Sequence, residues 1–387
     1  MKADIIKLAT IAEKKTKYIL GLMSGTSLDG LDIALCKIEG VGKNTLVTVE
    51  KFTTIEYSPS QKQLLSDHAS KSQVSLKTLC QLNTWLGELY ATLINNILAE
   101  WQVAADTIDL IASHGQTLYH CPKQPFADSD ALNSTLQIVD ADIIATKTNI
   151  ITIADFRQKH IAKGFEGAPL VQYGDYLLYS DSNIDRVLLN IGGISNLTYL
   201  PKNCALAQSV SSDIGPGNTL VDQYCRHVLG LPFDEDGKIA SSGNIQSPFL
   251  EALLSHEFFN EPVPKSTGQE LFNQTFVHQA LEGKDYNHED IITTLTEFTA
   301  ITVANAVNAL SSTELELYVS GGGIHNAFLM ERIAIHISKR VSLRDFSQLG
   351  VNPDAKEAAL FALLANETVS GDSNALPFSM GKISLPT

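Results

Sequence analysis

Gly21-Leu-Met-Ser-Gly-Thr-Ser-Leu-Asp-Gly-Leu-Asp32 is flanked by two alternating apolar runs, Lys17-Tyr-Ile-Leu-Gly-Leu-Met23 leading in and Ile33-Ala-Leu-Cys-Lys-Ile38 leading out. Both runs read as strands, so Gly25 to Gly30 falls where a tight antiparallel turn belongs. Glycines there let backbone N–H groups approach an anion, and Ser24, Thr26 and Ser27 add hydroxyl donors. The stretch is a different device from the helix-opening phosphate loop, whose Gly-x-x-x-x-Gly-Lys-Ser/Thr signature is absent. Taken alone, it reads equally as a Gly/Ser-rich hairpin turn without a ligand.

The chain has 387 residues and 44% hydrophobic content, material for a large core at a length that favours two domains. Charged residues make up 18%, which excludes a disordered chain. A formal net charge of −15 without a Lys/Arg cluster argues against a nucleic-acid partner. A nucleotide anion would therefore be held by local amides and a metal, not by the overall field. Five cysteines, Cys36, Cys80, Cys121, Cys204 and Cys225, form no Cys-x-x-Cys pair and no even disulfide set, which fits a reduced cytoplasm. Charged residues interrupt Met1 to Thr16, so this segment is expected to be a short amphipathic helix or a frayed tail, not a secretory leader. No run approaches the roughly 18 to 20 apolar residues of a membrane span.

The remaining pattern alternates strands and helices, as in an α/β fold. Thr45 to Tyr57 reads as a strand, Gln61 to Ser70 as a helix, and Ser75 to Gln102 as a helix on the spacing of Leu79, Leu82, Trp85, Leu86, Leu89, Leu93 and Ile97. Ile108 to Ser113 is a short buried strand followed by the polar cluster His114-Gly-Gln-Thr117, and Ile150 to Ala154 a strand that ends at Asp155-Phe-Arg157. Between them, Ser134 to Val139 reads as a strand and Asp140 to Thr148 as a helix. A second strand–glycine turn–strand pattern follows, with Arg186-Val-Leu-Leu-Asn-Ile191 entering Gly192-Gly193 and Leu197-Thr-Tyr-Leu200 leaving. A third glycine-rich strand end, Leu317-Tyr-Val-Ser-Gly-Gly-Gly-Ile-His-Asn326, precedes a helix. Open α/β sheets bind ligands at such strand ends.

Three glycine-rich strand ends in this order resemble the actin, sugar-kinase and heat-shock chaperone ATPase superfamily. Further motifs sharpen the resemblance: Ser113-His-Gly-Gln-Thr117, Asp155-Phe-Arg157, Gly167-Ala-Pro-Leu170, Asn190-Ile-Gly-Gly193, Asp213-Ile-Gly-Pro-Gly-Asn218, Phe233-Asp-x-Asp-Gly237, Lys265-Ser-Thr-Gly268 and Ser320-Gly-Gly-Gly323. With the opening stretch, they resemble the anhydro-N-acetylmuramic acid kinase family from about Tyr18 to the C-terminus. Two departures stand out: Gly164-Phe-Glu166 where the family usually carries Gly-Gly-Gln, and Gln269 where it often has Arg.

The resemblance implies two similar α/β domains of the actin-like, sugar-kinase ATPase fold with an active-site cleft between them. The expected halves are residues 1–150 plus 368–387, with the first phosphate hairpin, and 151–367, with the second hairpin and the adenosine turn. The implied reaction is ATP-dependent opening of 1,6-anhydro-N-acetylmuramic acid, with phosphate going to the six-oxygen and water to the anomeric carbon, in the recycling of cell-wall peptidoglycan. Alternatives are a hydroxyl-directed sugar kinase of the same fold, a nucleotide-switched chaperone-like ATPase, and a non-catalytic sugar-binding protein. The implied partners are ATP and an amino sugar, in the cytoplasm, and a homodimer is left open.

Water is a poor nucleophile, so a carboxylate must take its proton while ATP lies in line with the departing oxygen. Asp213 is the leading base, expected near the N-terminus of a helix beginning at Thr219, where the helix favours an ionised carboxylate and Asn218 could serve as cap. The bland reading of Asp213 is a helix cap. Expected nucleotide contacts are Gly25, Thr26, Ser27, Leu28, Asp29, Gly30, Leu31 and Asp32 from the first hairpin, Gly192 and Gly193 from the second, and Gly321, Gly322 and Gly323 around the adenosine. Magnesium should accompany ATP, with Asp29 the best-placed carboxylate and Asp32 the alternative. Asp155 and Arg157, expected on one face of an extended segment, could grip sugar hydroxyls and the lactyl carboxylate. His114 and Glu357 are further candidate substrate contacts, read otherwise as a structural histidine and a helix N-terminal carboxylate. Asp234 and Asp236 read as turn residues.

Overall fold

The computed structural model describes residues 2–123, 132–311, 313–350, 352–371, 376 and 378–387. Met1, which opens the N-terminal segment, and parts of the expected spans 1–150 and 368–387 lie outside these residues. In chain order the strands are β1 (Thr16–Ser24), β2 (Gly30–Glu39), β3 (Leu46–Glu56), β4 (Leu110–Cys121), β5 (Ser134–Ile138), β6 (Thr152–Ala154), β7 (Asp185–Ile191), β8 (Ile194–Leu200), β9 (Val210–Pro216), β10 (Leu315–Ser320), β11 (Val341–Asp345) and β12 (Lys382–Ser384). They form a seven-stranded sheet, β12-β6-β4-β1-β2-β3 with β5 on β4, and a five-stranded sheet, β11-β10-β7-β8-β9.

The two sheets share one plan. Antiparallel β1-β2-β3 extends through parallel β4 and β6, and antiparallel β7-β8-β9 extends through parallel β10 and β11. The protein thus consists of two α/β domains. Contacts divide the chain into residues 1–178 with 350–387, and residues 179–349. These boundaries correct those expected from sequence. The segment after position 150 stays with the first unit because β6 joins β4 and β12. The helix Lys356–Ser370 also belongs there, packed so closely on β1 that a Cβ on Gly21 would lie 1.9 Å from the Ala358 carbonyl oxygen.

In the first unit, β-strand alternation sends Leu20, Leu22, Ile33 and Leu35 into a core with Leu82, Leu86, Tyr90 and Ile94 of the helix Leu76–Glu100. Its predicted bounds agree to within two residues, and Ser75 caps it by accepting from Thr78 N–H. The helix predicted over Gln61 to Ser70 starts earlier, at Pro59, where Ser58 and Gln61 form a capping box. In the second unit, Val187, Leu189, Ile191, Leu315, Leu317 and Val319 pack on Ala300, Val303 and Val307 of the helix His288–Leu310.

The N-terminal segment is not a frayed tail. Ala3–Glu13 is a helix with Ile11 buried, followed by a 2.5 Å ion pair from Lys14 to Asp109, and Ser370 donates to the Ala12 carbonyl. All five cysteines are free thiols. Among the described residues no helix is long and apolar enough to cross a membrane.

Candidate active site

Asp213 lies within β9, paired across the sheet with Asn196, and not at a helix N-terminus. The helix Thr219–Tyr224 cannot serve it as expected, because the N–H groups of Gly217, Asn218 and Thr219 donate to the carbonyls of Gly192 and Gly193, and Asn218 makes no side-chain cap. A different segment serves Asp213 instead. Its Oδ2 accepts from Thr267 N–H at 3.0 Å and from the Ser266 hydroxyl at 3.1 Å, and its own N–H donates to the Lys265 carbonyl at 3.0 Å. The side chain is partly buried, and loss of solvent raises its pKa above the usual carboxylate range; the Thr267 and Ser266 donors pull it down, and the Glu270 charge pushes it up.

Parallel pairing of β7 with β10 brings Gly192-Gly193 and Gly321 to Gly323 together at one end of the second sheet. Gly321 has φ of +86°, and a Cβ there would lie 2.5 Å from Asn190 Oδ1, so only glycine fits. Around Gly192, Gly193 and Gly322, by contrast, no atom comes within 3.5 Å of a built Cβ. Beside this turn is a cavity of about 510 Å³ lined by Asn218, Asp222, Phe233, Gly322, His325 and Asn326, among others. Asp234 accepts from the N–H groups of Ile239 and Ala240 and so does the turn work expected of it, while also lining the cavity.

The first hairpin departs from the simple glycine picture. In its turn the left-handed residue is Leu28, with φ of +58°, and its side chain is buried, as is Leu31 in β2. Ser24 is not an available donor: its hydroxyl gives its proton to Gln116 Oε1 at 2.6 Å and accepts from Tyr57 at 2.9 Å. Gln116 in turn donates to the Gly25 carbonyl at 3.1 Å, so a buried polar network holds the turn. Gly30 is a packing glycine, since a Cβ would lie 2.4 Å from the Ile55 carbonyl oxygen. Thr26, Ser27 and Asp29 are exposed on the turn. Asp29 pairs with Lys62 at 2.6 Å, which lowers its pKa, whereas Asp32 accepts from Thr54 at 2.6 Å and has its pKa raised by burial.

His114 does not follow a strand end, because β4 runs on to Cys121 through the whole polar cluster. Its ring is buried, and Arg157 Nε donates to its Nε2 at 2.9 Å, so Nδ1 carries the proton and donates to the Gly115 carbonyl at 3.0 Å. Burial, aided by the Arg157 charge, lowers its pKa to about 3. Arg157 also donates from Nη1 to the Gly167 carbonyl at 2.9 Å, and burial lowers its own pKa to about 10. The expected shared face of Asp155 and Arg157 is not formed. Asp155 takes φ of +57° and Arg157 is helical, which breaks the alternation. Asp155 Oδ2 pairs with Lys382, while its Oδ1 is buried without a partner among the described residues.

Glu357 sits in the first turn of the helix Lys356–Ser370 and is open to water. Surrounding protein nevertheless raises its pKa, with Lys356 and Arg157 lowering it and Asp32 raising it. The first unit thus gathers His114, Arg157, Glu357 and Asp32, with Asp155 turned to Lys382. Ser266 and Thr267, within the motif Lys265-Ser-Thr-Gly268, are the neighbours of Asp213 to which the sequence alone assigns no role. Phe233, His325 and Asn326 line the cavity beside the glycine turn, and the sequence alone assigns them no role.

A family model described as anhydro-N-acetylmuramic acid kinase matches residues 17–385. A relative of that name from Pseudoalteromonas atlantica is 47% identical over 404 residues, covering 100% of both chains. One from Pseudoalteromonas translucida is 46% identical over 96% of this chain and 94% of its own, and one from Bacillus cereus is 37% identical over 94% and 96%. With the glycine turns, Asp213 and the Arg157 cluster on two sheets of one plan, these matches show that the chain belongs to the anhydro-N-acetylmuramic acid kinase family.

Proposed function

We propose that this chain transfers the terminal phosphoryl of ATP to the six-oxygen of 1,6-anhydro-N-acetylmuramic acid as water adds at the anomeric carbon, giving N-acetylmuramic acid 6-phosphate and ADP. The observation that carries the reading is Asp213, a partly buried carboxylate with one oxygen fixed by two donors and a raised pKa. Its other oxygen, Oδ1, takes no hydrogen bond from the described residues and is the proton acceptor in this reading. As water attacks the anomeric carbon it gives its proton to Oδ1, the bond from that carbon to the six-oxygen breaks, and the six-oxygen takes the phosphoryl group.

Turn residues Gly25 to Asp29, Gly192, Gly193 and Gly321 to Gly323 would hold the nucleotide, with the cavity beside Gly322 taking the base and ribose. The open space around Gly192, Gly193 and Gly322 supports this reading, since a phosphate or sugar needs the room that a side chain would fill. Magnesium, when bound with ATP, would neutralise phosphate charge. Among the described residues there is no group of three or more His, Cys, Asp or Glu side chains that could hold a metal ion. Asp29 would add a ligand by exchanging Lys62, with Asp32 as the alternative.

Arg157 has two of its three nitrogens tied to protein acceptors, and the remaining end of the fork would meet the lactyl carboxylate. His114 fixes that fork. Glu357 and the unpartnered Oδ1 of Asp155 would accept from sugar hydroxyls. We place the reaction in the cytoplasm, where ATP and free thiols coexist. A coupled ADP-release assay with and without 1,6-anhydro-N-acetylmuramic acid tests the reading. ADP release should depend on the sugar, and release that ignores the sugar would favour a nucleotide switch instead.

A further inference from the structure

We infer that the segment Lys265 to Thr267 is a positioning strap for Asp213, which fixes one carboxylate oxygen so that only the other accepts the proton. The inference rests on the proposed role of Asp213 as base. Three observations carry it. First, both donors that reach the carboxylate, the Ser266 hydroxyl at 3.1 Å and Thr267 N–H at 3.0 Å, converge on the same atom, Oδ2. Two donors on one oxygen fix the rotation of the carboxyl group about its Cβ–Cγ bond and leave Oδ1 for substrate.

Second, the strap is itself held. Lys265 N–H donates to the Ser212 hydroxyl oxygen at 2.9 Å, and the Lys265 carbonyl accepts from Asp213 N–H at 3.0 Å, so the strap is tied to β9 at Ser212 and Asp213. Third, the Lys265 ammonium is anchored away from the carboxylate. It donates to the Phe258 carbonyl at 2.5 Å and lies 4.1 Å from the centre of the Phe258 ring, within an aromatic cluster that includes Phe259 and Phe272. A lysine this near a catalytic carboxylate could have paired with it and held its charge. Its anchoring at Phe258 keeps a cation off Asp213, and the neutral donors of Ser266 and Thr267 orient the carboxylate without a full positive charge.

Ser266→Ala removes one donor and leaves the strap backbone in place, so turnover should change through the base and not through substrate binding. We expect kcat to fall by about tenfold, the loss of one hydrogen bond to a charged group. KM for ATP and sugar should hold. Because the lost donor favoured the ionised carboxylate, the acid limb of the kcat–pH profile should move to higher pH. Ser266→Thr, which retains a hydroxyl, should restore both the rate and the profile. An acid limb that stays in place in Ser266→Ala, at any rate, overturns the strap. Asp213→Asn, assayed beside it, separates the two readings: an inactive Asp213→Asn with an unshifted Ser266→Ala removes the strap and keeps the base, whereas an active Asp213→Asn removes both.

Discussion

The two units repeat one sheet plan, β3-β2-β1-β4-β6 in the first and β9-β8-β7-β10-β11 in the second, yet they place chemistry on different parts of it. In the first, the third strand, β3, is a mostly exposed edge, and the charged and polar groups cluster near β4 and the helix Lys356–Ser370. In the second, the third strand, β9, carries Asp213 and is covered at that point by the Lys265 strap. The hairpin turns differ as well. Residues 25–29 are braced from beneath by Ser24, Gln116 and Tyr57, whereas Gly192 and Gly193 use their carbonyls to hold the start of the next helix. A shared topology therefore fixes where turns and strand ends lie, and local side chains decide which of them can do acid–base work.

The largest effect expected is at Asp213. Asparagine keeps a carbonyl oxygen for the Ser266 and Thr267 donors and loses proton acceptance, so Asp213→Asn should lower product formation by about 10³-fold while calorimetry shows nucleotide binding retained. Wild-type turnover would move the base to the other unit and undo the contrast drawn here. The next test compares glycines. Gly21→Ala forces a Cβ onto the Ala358 carbonyl and should cost about 3 kcal/mol of stability in denaturant titration. Gly193→Ala has room, so its melting point should be nearly unchanged while KM for ATP rises by about tenfold. Equal effects on folding and binding at both glycines would erase the distinction between packing and ligand glycines.

The first unit should also be the more sensitive one between pH 7 and 5. The buried His114 has a pKa of about 3 and His160 one of about 4, both depressed by burial with Arg157 nearby. The unfolded chain therefore binds more protons than the folded one below about pH 6.5, so stability is full above that value and is lost as pH falls toward 4 and 3. His114→Asn should flatten this loss in denaturant titrations across pH 7 to 5. The smallest effect is at Lys62, whose exposed pairing with Asp29 is expected to contribute under about 1 kcal/mol. Lys62→Ala should leave melting nearly unchanged, and a large loss would make the ion pair a structural element of the turn.

Much of this was legible in the sequence. Alternation and glycines located both hairpins, and the long Leu-rich period located the helix Leu76–Glu100, because such signals are local. Strand β4 runs past its expected end at Ser113, since the polar residues His114 to Thr117 look like a loop until their hydrogen bonds are seen to satisfy them within the strand. Asp155 and Arg157 were placed on one face because a left-handed Asp155 leaves no trace in an extended pattern. The helix Lys356–Ser370 was given to the wrong unit, since its partner is β1 at the other end of the chain. The setting of Asp213 was hidden for the same reason, as its partners lie 53 and 54 residues further on. Periodicity reports an element's own faces and not which distant segment covers them.

The central claim is that Asp213 takes a proton from water as the anhydro ring opens. The most direct measurement is the mass of the sugar product formed from 1,6-anhydro-N-acetylmuramic acid and ATP in heavy-oxygen water, for the native chain and for Asp213→Asn. The account predicts one heavy oxygen at the anomeric carbon of the native product and essentially no product from the variant. An unlabelled product, or a labelled one formed by Asp213→Asn at the native rate, would contradict it.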